Sequence, residues 1–158
     1  GGADERMDGR RLAASLIWLL FSCSVLPNDS TAAEPADRVV PADVIEVLDG
    51  DSFRARAYPW PQVEIVTVVR LAGIDAPEMD GDCESERAMA MQARDVLRHL
   101  LPPRVLLLDV RPDKFGGRVL AAVVVDGRDL ASDLVLRGLA RRYDGRLKRL
   151  PWCRPAAP

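Results

Sequence analysis

Aromatic residues make up only 5% of this 158-residue chain, so its core must be built from aliphatic side chains. His99 is the only histidine and stands inside an amphipathic run, away from every polar motif. Metal centres assembled from histidine and cysteine are therefore excluded by count, and His99 reads as a structural or exposed residue. Bulk positive charge is also missing: the formal net charge is −2, and nearly all the cationic residues are arginine. No internal repeat is present. The longest apolar run, Leu12 to Leu26, is short for a comfortable bilayer span. What is there is 48% hydrophobic and 29% charged residues, a balance that suits one globular domain and argues against disorder.

The N-terminus reads as a targeting segment. Met7 fits an initiator, with residues 1–6 an addition or a misassigned start. Arg10 and Arg11 precede the apolar run, and Ser30-Thr31-Ala32-Ala33 supplies small residues for cleavage. Residues 1–33 are thus expected to be a signal peptide, 34–40 a polar linker, 41–150 the folded domain and 151–158 a tail. The expected location is secreted or periplasmic, with no stable membrane association after cleavage. Leu20-Phe21-Ser22-Cys23 is a poor lipoprotein box, so lipid anchoring through Cys23 is the lesser alternative. Cys83 and Cys153 survive the cut, and an even count in an exported chain suggests one disulfide; two unlinked thiols are the alternative.

Hydrophobic periodicity gives the elements of the domain. Val44–Leu48 and Ser52–Ala57 alternate as strands around the turn signal Asp49-Gly50. Tyr58-Pro59-Trp60-Pro61 is expected to break the second strand, and β-branched Val63–Ala72 reads as the best strand of all. Asp82 is a candidate N-cap for a helix whose apolar face carries Met89, Ala93, Val96, Leu97 and Leu100, stopped by Pro102-Pro103. Val105–Val110 and Val119–Val125 are two more strands. Asp129 caps a short helix through Arg137 that ends on Gly138, and residues past Tyr143 read as loop. Periodicity alone yields an α+β domain.

Three polar clusters carry chemistry. Asp49-Gly50-Asp51-Ser52 is an acidic turn. Arg70-Leu71-Ala72-Gly73-Ile74-Asp75-Ala76-Pro77-Glu78 gathers an arginine and two acids around a proline. Asp113-Lys114-Phe115-Gly116-Gly117-Arg118 adds a second arginine. Carboxylates suit a hard cation, and guanidinium forks match phosphate oxygens. Together they suit metal-assisted hydrolysis of a phosphodiester, with Glu78 the candidate base or water-orienting group. The basic residues Arg137, Arg141, Arg142, Arg146, Lys148, Arg149 and Arg154, opposed by Asp144, either guide a polyanion or form a solvated tail.

These clusters, in this order, resemble the staphylococcal nuclease (thermonuclease) family. Its pattern is a D-G-D-S/T turn, then R-L-x-x-I/V-D-x-P-E, then D-K-Y/F-G-R-x-L-A, then a helix closing in G-L-A. The matching residues are Asp49–Ser52, Arg70–Glu78, Asp113–Ala121 and Gly138-Leu139-Ala140, within roughly Val39 to Tyr143. The resemblance implies an α+β, mainly β fold: a five-stranded Greek-key OB-fold barrel with a long helix after strand 3 and a short helix after strand 5. It implies calcium as cofactor, with Asp51, Asp75 and the Ala76 carbonyl as ligands. Arg70, Glu78 and Arg118 become the catalytic residues, with Lys114, Phe115 and Tyr143 on the substrate. The implied reaction is hydrolysis of DNA and RNA, single strands preferred, leaving 3′-phosphate ends, by a monomer. A non-catalytic OB-fold module that binds single strands is the alternative, and a secreted scaffold ranks behind it. Four departures bear on the site. Ala76 stands where threonine is usual, and Phe115 where tyrosine is common. Tyr143 is displaced by about one position. Gly116-Gly117 adds a residue, leaving Arg118 or Gly117 at the second arginine position, with Arg118 favoured because Leu120-Ala121 then aligns.

Overall fold

The structure, a computed structural model, describes residues 39–146 and 151–153. The expected signal segment with Cys23, the linker as far as Arg38, and Lys148, Arg149 and Arg154 lie outside the described residues.

Five long strands form the barrel: β1 (Val40–Val47), β2 (Ser52–Trp60), β3 (Val63–Leu71), β5 (Arg104–Pro112) and β6 (Arg118–Val125). Their order is β3-β2-β1-β5-β6, antiparallel throughout, and a parallel β3–β6 pairing closes the ring. This is a five-stranded OB-type barrel. The long helix α1 (Glu84–Leu100) follows β3, and the short helix α2 (Leu130–Leu136) follows the fifth barrel strand. Three two-residue strands complete the domain: β4 (Ile74–Asp75), β7 (Arg128–Asp129) and β8 (Arg141–Arg142). As the composition requires, the interior is aliphatic, with Phe53 the one fully buried aromatic among the described residues. Among the described residues, no helix is long and apolar enough to cross a membrane.

Several expected boundaries move, each for a local reason. β1 begins at Val40 because Val40 pairs with Leu107 of β5, so the strand takes in the end of the expected linker. β2 does not break at Tyr58-Pro59. Past Ala57 it pairs with β3 alone, through an irregularity between Ala57 and Trp60, and a proline on such a free edge forfeits no ladder bond. The tip of the β2–β3 hairpin thus overreaches β1, leaving Trp60 and Val63 exposed, and the β-branched Ile65 and Val66 are exposed where β3 has not yet met β6.

Asp82 is not the N-cap of α1. Cys83 holds that position in an extended conformation and makes no side-chain cap bond. The start of the helix is instead secured by Glu86, which reaches back to accept the N–H of Asp82 (3.3 Å), and by the Cys83–Cys153 disulfide. The buried stripe of α1 is Glu86, Ala90, Ala93 and Leu97, flanked by the half-buried Met89, Val96 and Leu100. Asp129 caps α2 as expected, accepting the N–H of Ser132 at 2.9 Å, and Gly138 follows with φ 72°.

Gly50 shows how closely the elements meet. A β-carbon there would lie 2.6 Å from Cβ of Ala93 on α1 and 2.9 Å from Cβ of Ala76. The β1–β2 turn therefore needs glycine for space, and neither alanine can swing aside. Gly50→Ala is expected to destabilise the domain by about 1–3 kcal/mol in urea unfolding. An unchanged midpoint would show slack in this contact.

Candidate active site

The β2–β3 register sets Arg70 opposite Ser52, so the arginine lies beside Asp51, the residue just before β2. The Leu71 N–H donates to the Asp51 carbonyl at 2.8 Å and locks that approach. The Arg70 guanidinium then spans two carboxylates. It donates to Asp51 Oδ1 at 3.0 Å, lies 2.9 Å from Asp51 Oδ2, and reaches Asp75 Oδ1 on β4 at 3.3 Å. Asp51 Oδ2 also accepts the Ala76 N–H at 3.1 Å, and the Asp51 N–H donates to Asp49 Oδ1 at 3.0 Å. Asp51, Asp75 and Arg70 are only 2%, 5% and 9% exposed, so this is a buried ionic knot.

Burial pushes the Asp51 carboxyl up to about 8, with Asp49 adding to the rise, against the opposing pull of Arg70 and the Ala76 N–H. One guanidinium therefore does not fully compensate the buried acid. A further cation fits that deficit. The available donors, two carboxylates and the Ala76 carbonyl, are hard oxygens of the kind calcium takes, with water completing the shell. The tightest grouping of acid and cysteine side chains among the described residues lies elsewhere, at Cys83, Glu86 and Cys153. There the disulfide removes both thiolates and leaves Glu86 as the one side-chain donor for a cation.

In front of the knot a cleft opens, lined by Arg70, Lys114, Phe115, Arg118 and Tyr143, with Arg111 adding a third guanidinium. Arg118, not Gly117, reaches this cleft. Gly117 takes φ 77° and absorbs the extra residue of the turn. Asp113 then holds the Arg118 fork, accepting from Nε at 2.9 Å and Nη2 at 2.6 Å, while its other oxygen accepts the Lys114 N–H at 2.7 Å. The Phe115 ring lies 4.7 Å from the Arg118 guanidinium and 5.2 Å from the Lys114 ammonium, a cation–π platform rather than a hydroxyl donor. Tyr143 arrives through the β4–β8 pairing of Asp75 with Arg141 and Ile74 with Arg142, and its N–H donates to the Gly73 carbonyl at 3.0 Å.

Glu78 is half-buried on the turn after the buried Pro77 and is not among the residues lining the cleft. Its N–H donates to Glu86 Oε1 at 3.4 Å, and its carbonyl accepts the Gly81 N–H at 3.0 Å. His99 is exposed, with Nδ1 2.7 Å from the Asp95 carbonyl. The supporting residues Asp113, Glu86 and Trp152 have no assigned role in the sequence reading. Asp113 stood inside a recognised motif. Glu86 was legible only as an acid in the first turn of α1, and Trp152 gave no signal because its partner Asp75 lies 77 residues away.

Fold and site together define a small OB-fold protein with an arginine-lined cleft beside a buried acidic pocket. Residues 68–150 match the family described as staphylococcal nuclease homologue, and the chain belongs to that family. It is 31% identical over 139 residues to the probable endonuclease lcl3 of Emericella nidulans, covering 69% of this chain and 49% of the relative. The protein of the same name from Aspergillus flavus is 30% identical over 138 residues, covering 69% of this chain and 50% of the relative. That from Neosartorya fischeri is 30% identical over 133 residues, covering 66% and 45%. The chain spans about half the length of these curated relatives.

A raised Asp51 value has a measurable sign. The folded protein keeps a proton that the unfolded chain releases near the ordinary 3.8, so cation-free stability falls as pH rises from about 4 to about 8. Urea unfolding in chelator should show this fall, and Asp51→Asn should flatten it. Equal slopes in the two proteins would place the titration elsewhere.

Proposed function

We propose that this chain is a calcium-dependent nuclease that hydrolyses DNA and RNA. The observation that carries the reading is the buried pair Asp51 and Asp75, with Asp51 pushed up to about 8, held by the Arg70 that also lines a cleft with Arg118. The printed name of the relatives, probable endonuclease, supports it.

Asp51, Asp75 and the Ala76 carbonyl would hold the ion, which when bound supplies positive charge to the phosphoryl oxygen and to the attacking water. The remaining work falls to the chain. Arg70 and Arg118 grip the other phosphoryl oxygens and stabilise the charge that grows on them as the water–phosphorus bond forms. Asp113 keeps the Arg118 fork aimed, so little reorganisation is needed at that moment. Glu78 accepts the proton of the attacking water, and the departing 5′-oxygen is protonated by solvent, leaving a 3′-phosphate. Phe115 and Tyr143 offer ring faces to an unstacked base, which favours single strands, and Lys114 adds charge along the backbone. The proposed enzyme acts as a monomer. The Cys83–Cys153 bridge supports an oxidising location, secreted or periplasmic.

Plasmid and RNA digestion tests the reading. Cleavage is expected with calcium and should stop in excess chelator. Glu78→Gln should lower kcat by about 10²-fold while melting temperature and cation affinity stay close to the parent values. Cleavage undiminished by chelator, or a parental rate in Glu78→Gln, would refute the corresponding assignment.

A further inference from the structure

The C-terminal residues 151–153 are tied back to the acidic pocket in a way that the proposed chemistry does not use. Cys153 is bonded to Cys83 at the start of α1, across 70 residues of sequence. The residue before it, Trp152, donates its indole N–H to Asp75 Oδ2 at 3.4 Å. Arg141, the β8 partner of Asp75, lies over the same indole at 3.8 Å and donates to the Pro151 carbonyl at 3.1 Å. The indole is thus clamped from three directions: by the disulfide, by a guanidinium on its face and by the carboxylate it serves. Arg70 approaches Asp75 through Oδ1 and Trp152 through Oδ2, which fixes the plane of the carboxylate.

The same disulfide touches the other acid. Sγ of Cys153 lies 3.4 Å from Glu86 Oε2, while Glu86 Oε1 accepts the N–H of Glu78. One covalent staple therefore stands behind both Asp75 and the turn that carries Glu78.

We propose that Trp152 is a positioning residue for Asp75, and that the Cys83–Cys153 bridge keeps it there, so that cation affinity depends on an intact bridge. This rests on the reading of Asp75 as a cation ligand. The physical reason is that a carboxylate already held in one orientation loses little freedom when it takes a cation. Removal of such an outer hydrogen bond typically weakens metal binding about 10–100-fold.

The test is calcium titration calorimetry on the full chain, stripped of metal, with melting temperature in chelator recorded for each variant. Trp152→Phe keeps a ring beneath Arg141 and loses only the N–H. It should bind calcium about tenfold more weakly than the parent, with a nearly unchanged melting temperature. The calcium concentration for half-maximal cleavage should rise, while kcat at saturating calcium stays near parental. Cys83→Ser with Cys153→Ser should lower both affinity and melting temperature, and Trp152→Phe in that background should add little further loss. If the double serine variant fails to fold, reduction of the parent, monitored by thiol titration, replaces it. Parental affinity in Trp152→Phe would overturn the proposal, as would an equal loss with and without the bridge. If the parent itself binds no calcium, the cation reading fails and this proposal falls with it. Parental binding with an unaffected Trp152→Phe removes this proposal alone.

Discussion

Arg70 bridges the buried Asp51 and Asp75 at the edge of the cleft, and the rest of the site depends on that contact. The arginine sits near the end of β3, and its two acids sit at the ends of other elements, just before β2 and on β4. Placing these charges in the interior requires all three at once, because removal of one partner from a buried pair costs about 3–5 kcal/mol. The knot therefore pins the ends of three elements together. It is not an economical way to gain stability, since desolvation consumes much of what the ion pairs return. Its retention, with Asp51 left under-compensated at about 8, makes sense if the pocket is built to receive more positive charge than Arg70 brings.

Neighbouring structure serves that arrangement. Gly50 lets the β1–β2 turn settle onto Ala76 and Ala93, which brings Asp51 inward. Asp49 accepts the Asp51 N–H and shapes the turn. On the other wall, Asp113 and Phe115 hold Arg118, and the parallel β3–β6 register of Arg70 with Leu120 brings the two arginines to one cleft. β4 and β8 bring Tyr143 alongside, and the disulfide-linked tail closes the back. Among the described basic residues toward the C-terminus, Arg137 pairs with Asp133, Arg142 donates to Ser132 and Arg141 stacks on Trp152.

The five long strands were legible in the sequence from their apolar patterning and their glycine or proline turns, whereas their closure into a barrel was legible only through the family resemblance. The polar clusters were legible because each is contiguous. What could not be read was whatever depends on tertiary partners. Val63, Ile65 and Val66 look like core, yet they are exposed on the stretch of β3 that precedes its pairing with β6. Pro59 looks like a breaker, yet it stands where β2 has only one neighbour. The two-residue strands β4 and β8 are too short for any periodic signal, although they align Asp75 with Arg141. Asp82 has the chemistry of a helix cap, but the staple at Cys83 and the reach of Glu86 start the helix one residue later. Trp152 touches Asp75 across 77 residues, a contact that no local pattern encodes.

Melting temperature across a calcium titration at neutral pH tests most directly whether the Asp51–Asp75 knot is the cation site. A ligand that binds only the folded protein raises its stability with the logarithm of its concentration once that exceeds the dissociation constant. The parent protein should therefore melt at steadily higher temperature as calcium rises above its dissociation constant, and Asp51→Asn should not respond over the same range. An equal rise in Asp51→Asn, or no rise in the parent, would contradict the assignment.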